Sequence, residues 1–379
     1  MSLPGILRSN VSLPQAFRSG TAWGYPEGIS FLDTLTDVMD KDLIHPHWHN
    51  YPPVNPMWNY LLGVIFTLLA MLSFCGNSMV LYLFMTKKSL RSPANMLVVN
   101  LAFADFMMLV TQYPMLIYNC FAGGIWAFGA LGCEIHAFTA AVTGVTSLLS
   151  LVAIGYDRYL VIVKAFDGKH MTSSKALGII ALCWSYATLM TMWPFFGWGA
   201  FIPEGLMISC SFDYVTDTWA RKSHGLLMFT MCYCCPVTCI MFFYSQIVLA
   251  IRRHEQALRA QAKKMNVENL RSNADLNKQS QEVRVAKVAV ANVGLWLITW
   301  TPYAYIVMMA MFNDKTFVTP LLSCLPGLIL KTASCYNPVM FAISHPKFRL
   351  ALQETLPWFC IHEPKEDDTK STKTETEPK

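Results

Sequence analysis

Charge is scarce in this chain. Asp, Glu, Lys and Arg make up 14% of its 379 residues, while 54% are hydrophobic. Soluble domains carry about 25% charged residues, so this hydrophobic fraction is high for a soluble protein. The first 57 residues contain no apolar run, and no cleavable signal peptide is expected there. There is no internal repeat of the kind transporters often show. No metal site and no catalytic constellation stand out, so an enzyme is not expected. The net charge of +5 needs no nucleic acid to explain it once its distribution is followed.

The apolar residues fall into seven blocks, 58–85, 94–118, 130–161, 176–197, 224–250, 286–311 and 318–343. Each can cross a bilayer, which takes roughly 20 helical residues, and only helices and closed barrels satisfy their backbone in lipid. The loops and helix ends on one side, with the C-terminal tail, hold 22 of the 29 Lys and Arg residues; the other side holds 6. The positive-inside rule therefore puts the N-terminus outside and the C-terminus in the cytoplasm. The expected organisation is an outer tail (1–57), a seven-helix membrane domain (58–343), a short amphipathic cytoplasmic helix (344–359) and a polar tail of disordered composition (360–379). Asn10-Val11-Ser12 is a glycosylation sequon on the outer side.

One basic residue belongs to neither side. Lys331 lies near the middle of the seventh block, more than two turns from either end. Such a charge costs about 2.5–3.5 kcal/mol on insertion scales, and snorkelling to the headgroups is the plain alternative. A lysine facing the bundle interior can do chemistry, because its amine condenses with aldehydes and burial tunes its pKa. Asp105 is the only charge in the second block and is a functional candidate on the same ground. Gly76-Asn77 places a small residue and an amide in the first, a pattern that helix packing alone could explain. Of twelve cysteines most lie within the blocks. Cys120, Cys133 and Cys210 lie near the outer, oxidising side, and counting does not choose a pair.

Several motifs occur in order: Asn77, Asp105, Asp157-Arg158-Tyr159, the loop GWGAFIPEGLMISCSFDY, WLITWTPY with Trp296, Trp300, Pro302 and Tyr303, LKTASCYNP, and His345-Pro346-Lys347. The cytoplasmic stretch between the fifth and sixth blocks contains QAKKMN and LRSN. Together, from about Trp58 to Phe359, the chain resembles the rhabdomeric, Gq-coupled visual opsins of invertebrates, arthropod-like ones in particular, within the rhodopsin-like G-protein-coupled receptors. The resemblance implies an all-α seven-helix bundle with a short eighth helix and a β-hairpin lid on the outer side. It implies covalent 11-cis-retinal, or a close retinal analogue, on Lys331 as a protonated Schiff base. Trp300 and Tyr303 are implied as pocket residues and Cys133–Cys210 as the lid disulfide. Asn77, Asp105, Asn337 and Pro338 are implied as the polar network of activation, and Arg158 as a lock partnered by Glu282. His345, Pro346 and Lys347 imply Gq coupling, Cys360 palmitoylation, and Thr369, Ser371, Thr372, Thr374 and Thr376 sites for a receptor kinase and arrestin. The implied place is the rhabdomeric cell membrane of a photoreceptor, with lipids as partners.

Glu204 stands six residues before Cys210, where opsins carry a buried carboxylate, and is expected to be the counterion. Histidine cannot be an anion, Asp105 should lie deeper, and Glu134 is about 100° round its helix from the preceding residue. His136 departs from the family, whose members carry Glu, Tyr or Phe there; it is expected to be a neutral hydrogen-bond partner. Phe341 replaces the tyrosine of the family's NPxxY. Gln112 falls where insect ultraviolet opsins carry lysine. A counterion on a loop could serve both chromophore isomers and make the pigment bistable. A retinal photoisomerase could share Lys331, and a chemoreceptor of the same fold would not need it.

Overall fold

The computed structural model describes residues 41–164, 171–265, 273–344 and 346–357, with Ser30 and Asp33. It is a bundle of membrane-spanning helices: α1 (Met57–Thr86), α2 (Pro93–Phe121), α3 (Gly129–Ile162) and α4 (Ser173–Thr191). The fifth span joins α5 (Trp219–Leu227), a π-helical stretch (Met228–Cys234) and α6 (Cys235–Met265). The sixth is α7 (Asn273–Phe312), and the seventh is a pair, α8 (Pro320–Lys331) and α9 (Ala333–Ser344). The short cytoplasmic helix is α10 (Pro346–Thr355). Leu61, Leu68, Met71, Leu72 and Met85 are among many large apolar side chains left exposed, as suits helices whose outer faces meet lipid.

The helix starts follow local chemistry. Ser92 caps α2 by accepting from Asn95 N, with Pro93 at the first position. Thr172 caps α4, and Thr319 caps α8 ahead of Pro320. Hydroxyl caps satisfy one of the backbone donors that a helix start leaves free. The fourth span, expected to reach residue 197, leaves the α-helix at Thr191; Trp193–Phe196 form a 3-10 turn ending at Gly197 with φ 85°. Pro194 brings no N–H and disfavours helical backbone at Trp193.

Hydropathy predicts one continuous seventh span over 318–343, and the helix is broken directly after Lys331. Thr332 N donates to Ile329 O and Cys335 N to Thr332 O, both i→i−3 bonds. The carbonyl of Lys331 is instead taken by the Tyr113 hydroxyl at 3.1 Å and the Ser334 hydroxyl at 3.1 Å. Four residues after Ser334, Pro338 has no N–H to return to the Ser334 carbonyl. That carbonyl accepts from Asn77 Nδ2 at 2.9 Å. Gly76 lets the two helices meet, since a Cβ there would lie 2.9 Å from the Pro338 ring. The Gly76-Asn77 pair thus serves the Pro338 region of α9, which follows the break.

On the outer side, β1 (Phe201–Pro203) and β2 (Cys210–Phe212) form an antiparallel hairpin with Pro203 opposite Cys210. The disulfide Cys133–Cys210 ties it to the start of α3. The N-terminal stretch before α1 packs over this end: Trp48 is buried, His45 Nε2 lies 2.9 Å from Thr216 Oγ1, and His47 Nε2 lies 2.9 Å from Val318 O. On the cytoplasmic side Phe348 of α10 stacks on Phe84, and Lys87 pairs with Glu354 at 3.2 Å.

Candidate functional site

A cavity opens below the lid between α3, α5, the π-helical stretch, α7 and α8. Its walls are mostly apolar and aromatic, including Phe212, Phe229, Trp300 and Tyr303. Lys331 and Glu204 both line it. Lys331 is 8% exposed, and among the described residues its Nζ has no hydrogen-bond or ion-pair partner. An unpaired ammonium in such a wall is costly.

Glu204 is held by the lid turn. Its backbone N donates to Ser209 O at 2.8 Å and its carbonyl accepts from Met207 N at 2.7 Å. Met207 adopts φ 56°, the one positive φ outside glycine among the described residues. Gly205 N donates to Ser323 Oγ at 3.1 Å. A Cβ on Gly205 would fall 2.3 Å from Pro320 Cα, so only glycine lets the turn seat on the first turn of α8. The Glu204 carboxylate accepts from Ser209 Oγ at 2.5 Å through Oε2, while Oε1 has no partner. Burial pushes its pKa above the usual carboxylate range; Ser209 and the Lys331 charge pull it back. Sequence reasoning found Glu204 but missed Gly205, Ser209, Ser323 and Tyr113. The serine in ISC and the Gly after Glu204 were visible, but nothing in the sequence brings α8 under the lid.

Trp300 fits because Gly144 lacks a side chain: a Cβ there would lie 2.6 Å from the Trp300 ring. Trp296 stacks on Trp300 with centroids 5.1 Å apart and packs in the core below the cavity. Tyr233 on the π-helical stretch bonds Thr301 Oγ1 at 2.6 Å across the fifth and sixth spans. His136 is 1% exposed, one turn below Cys133, with its ring edge-on to Trp126 at 5.2 Å. It is not among the cavity-lining residues, and neither ring nitrogen has a hydrogen-bond partner, contrary to the expected bonding role. Gln112 is fully buried and donates to His136 O and Thr139 Oγ1, both at 2.9 Å.

Below the cavity lies the polar core. Asp105 accepts from Asn337 Nδ2 at 2.6 Å and from Ser147 Oγ at 2.8 Å, joining α2, α9 and α3. Asn77 reaches this core only through α9, at the Ser334 carbonyl. At the cytoplasmic end Arg158 pairs with Asp157. The expected Arg158–Glu282 lock falls on a side chain outside the described residues, as does Phe341. Tyr159 packs on Phe242 and Phe243, and Lys347 is exposed at the start of α10. Asn10, His345, Cys360 and the tail positions Thr369 to Thr376 also lie outside the described residues.

Seven helical spans, a disulfide-tied lid and a mostly apolar cavity lined by a buried lysine define a membrane protein of receptor-like architecture. Residues 76–341 match the family of seven-transmembrane receptors of the rhodopsin family. The chain belongs to that family, and within it to the invertebrate opsins. It is 48% identical to compound eye opsin BCRH2 of Hemigrapsus sanguineus, over 98% of this chain and 100% of the relative. It is 43% identical to the ultraviolet-sensitive opsin of Apis mellifera, over 90% of this chain and 92% of that one. The squid rhodopsin crystal structure superposes with a TM-score of 0.79 at 33% identity, covering 90% of this chain and 98% of that one. The chain is a multi-pass, light-sensing G-protein-coupled receptor.

Proposed function

We propose that this receptor is a visual pigment that holds 11-cis-retinal, or a close retinal analogue, covalently on Lys331 and signals to a Gq-type G protein. The observation that carries the reading is that Lys331 and Glu204, both buried, line one otherwise apolar cavity. The residues fit such a group: the amine has no partner among the described residues, and one Glu204 oxygen is unpartnered. When bound, retinal supplies light absorption and a light-driven change of shape.

The chain supplies the rest. Lys331 would hold retinal through its amine, whose condensation with the aldehyde releases water, and would keep a proton and a positive charge at that nitrogen. The Glu204 carboxylate offsets that charge from the lid, positioned by Ser209 and by Cys133–Cys210. Acting from a loop, it can serve two chromophore shapes, which supports a bistable pigment. Trp300 and Tyr303 shape the wall. His136 stays neutral behind it. Pressure on Trp300 favours movement of the sixth span, which Pro302 permits by removing a helix bond. The Asp105–Asn337–Ser147 core then repacks, Arg158 is freed, and the cytoplasmic end opens to the G protein. His345, Pro346 and Lys347 contribute to Gq choice. The 360–379 tail offers phosphosites to a receptor kinase and arrestin, Cys360 a lipid anchor, and the 1–57 tail a glycan at Asn10. The rhabdomeric photoreceptor membrane is the proposed place.

The test is reconstitution with 11-cis-retinal, borohydride reduction and peptide mapping, with light-dependent nucleotide exchange on Gq. Retinal is expected on Lys331, with no pigment in Lys331→Ala. Label on another lysine would overturn the attachment, and a pigment that fails to activate Gq would overturn the coupling.

A further inference from the structure

The fifth-span wall of the cavity below the lid carries a buried histidine. His224 of α5 lines the cavity and is 2% exposed. Its Nε2 is buried with no hydrogen-bond partner among the described residues. The imidazole is held from several sides. Trp198 and Phe212 both meet it edge-on, each with ring centroids 6.1 Å away. The Trp198 indole is itself fixed by donating to Ser223 Oγ at 2.9 Å. Gly199 has φ 98°, and a Cβ there would lie 2.8 Å from His224 Nδ1, so glycine lets the loop close on the ring. Arg221, in the preceding turn, is engaged by Asp213 at 3.4 Å.

His224 and Lys331 flank the sixth span, since α7 packs against both α5 and α8. A ligand long enough to run from Lys331 past Trp300 and Tyr303 of α7 meets the fifth span with its far end. The other polar groups on that side are already satisfied. Thr191 Oγ1 donates to Ala187 O at 2.8 Å, and the Tyr233 hydroxyl bonds Thr301 Oγ1 at 2.6 Å. Gly225, Met228 and Phe229 of the lining offer no strong side-chain hydrogen bond. Trp300 Nε1 also lacks a partner among the described residues, but it belongs to the sixth span and can only donate. An imidazole nitrogen donates or accepts according to tautomer, which suits a hydroxyl group in either sense. A hydrocarbon ring at the same place would leave Nε2 buried and unpaired, which is costly.

We propose, on the reading that retinal is held at Lys331, that His224 recognises the far end of the chromophore and selects a retinal whose ring carries a hydroxyl group. The hydroxyl and His224 Nε2 share one hydrogen bond, and no covalent bond is made or broken. Trp198, Phe212 and Gly199 position the imidazole and touch the ligand's hydroxyl only through it.

Two binding measurements on the full-length, ligand-free receptor test this. In the first, a limiting equimolar mixture of 11-cis-retinal and 11-cis-3-hydroxyretinal is added, and the bound aldehydes are extracted and their ratio measured. In the second, β-ionone and 3-hydroxy-β-ionone, which carry the ring but no aldehyde for Lys331, are titrated against tryptophan fluorescence. The hydroxylated ligand is expected to be favoured about tenfold in both, the scale of one net hydrogen bond. His224→Phe should remove the preference, and His224→Gln, which keeps a donor and an acceptor, should retain most of it. Thr191→Val, which removes a lining hydroxyl already bonded to its own helix, should leave it unchanged. Equal uptake of the two rings by the native protein, a preference that survives in His224→Phe, or one lost in Thr191→Val would each overturn the proposal. Failure of both aldehydes to form a pigment, with the ring preference intact, would overturn the attachment at Lys331 and leave the role of His224 standing.

Discussion

The Tyr113 hydroxyl donates to the Lys331 carbonyl at 3.1 Å, from α2 to the last residue of α8. The seventh span breaks there, so this carbonyl has no helical partner of its own. Tyr113 is 1% exposed, and water cannot replace it. Tyr113→Phe leaves the Ser334 hydroxyl as the remaining donor to that carbonyl. A loss of about 0.5–1.5 kcal/mol is expected, the net worth of one hydrogen bond to an acceptor that keeps another donor. Thermal denaturation of the purified receptor measures it; an unchanged midpoint would mean the break is held by α8 and α9 alone.

Glu204 gives a pH test in two forms. Its carboxyl is pushed up by burial, so the folded, ligand-free protein holds this proton more tightly than the unfolded chain. The sign follows: its stabilising contribution is full below the unfolded pKa and is lost as pH rises through the folded one. Glu204→Gln should flatten that limb of the thermal stability profile. With retinal bound, the same change should lower the pKa of the protonated nitrogen in one or both photostates, moving absorbance toward the ultraviolet at lower pH than in the native pigment. His136→Ala should do less. An unchanged titration in Glu204→Gln would exclude it as counterion; collapse of the band in His136→Ala would place that role on α3.

Gln112 brings no charge to the middle of α2, where its amide holds the His136 carbonyl and Thr139. The pigment is therefore expected to absorb in the visible with its nitrogen protonated. Gln112→Lys should move the maximum toward the ultraviolet, because a buried cation beside a second cation disfavours protonation. A native dark-state band in the near ultraviolet at neutral pH would contradict this reading.

Phe341 lacks the hydroxyl that the family's motif places there. Phe341→Tyr restores a hydroxyl donor and acceptor at that position and should modestly prolong or strengthen Gq activation. Nucleotide-exchange rates after a flash, normalised to pigment amount, measure it. Lower activation at equal expression would show that Phe341 is an adaptation in its own right.

Hydropathy and the Lys and Arg distribution were enough to read seven spans and their orientation, because lipid leaves a chain few ways to satisfy its backbone. The isolated Lys331 and Asp105 were legible for the same reason: a charge in an apolar block is conspicuous. The disulfide was not legible from the residues alone, since Cys120 stood as near the outer face as Cys133. The tertiary structure buries Cys120 against Leu62 and Leu116 and joins Cys133 to Cys210. It also decided how the seventh span is held: Tyr113 of α2 takes the Lys331 carbonyl at the break, and Asn77 and Ser73 of α1 take the Ser334 carbonyl that Pro338 frees. The seat of Glu204 depends on Gly205 passing Pro320 and Ser323 on another helix. His136 falls beside Trp126 and outside the cavity wall for a reason of the same kind. Periodicity and hydropathy are local and survive in one dimension; hydrogen bonds and close approaches between distant segments exist only once the helices have packed.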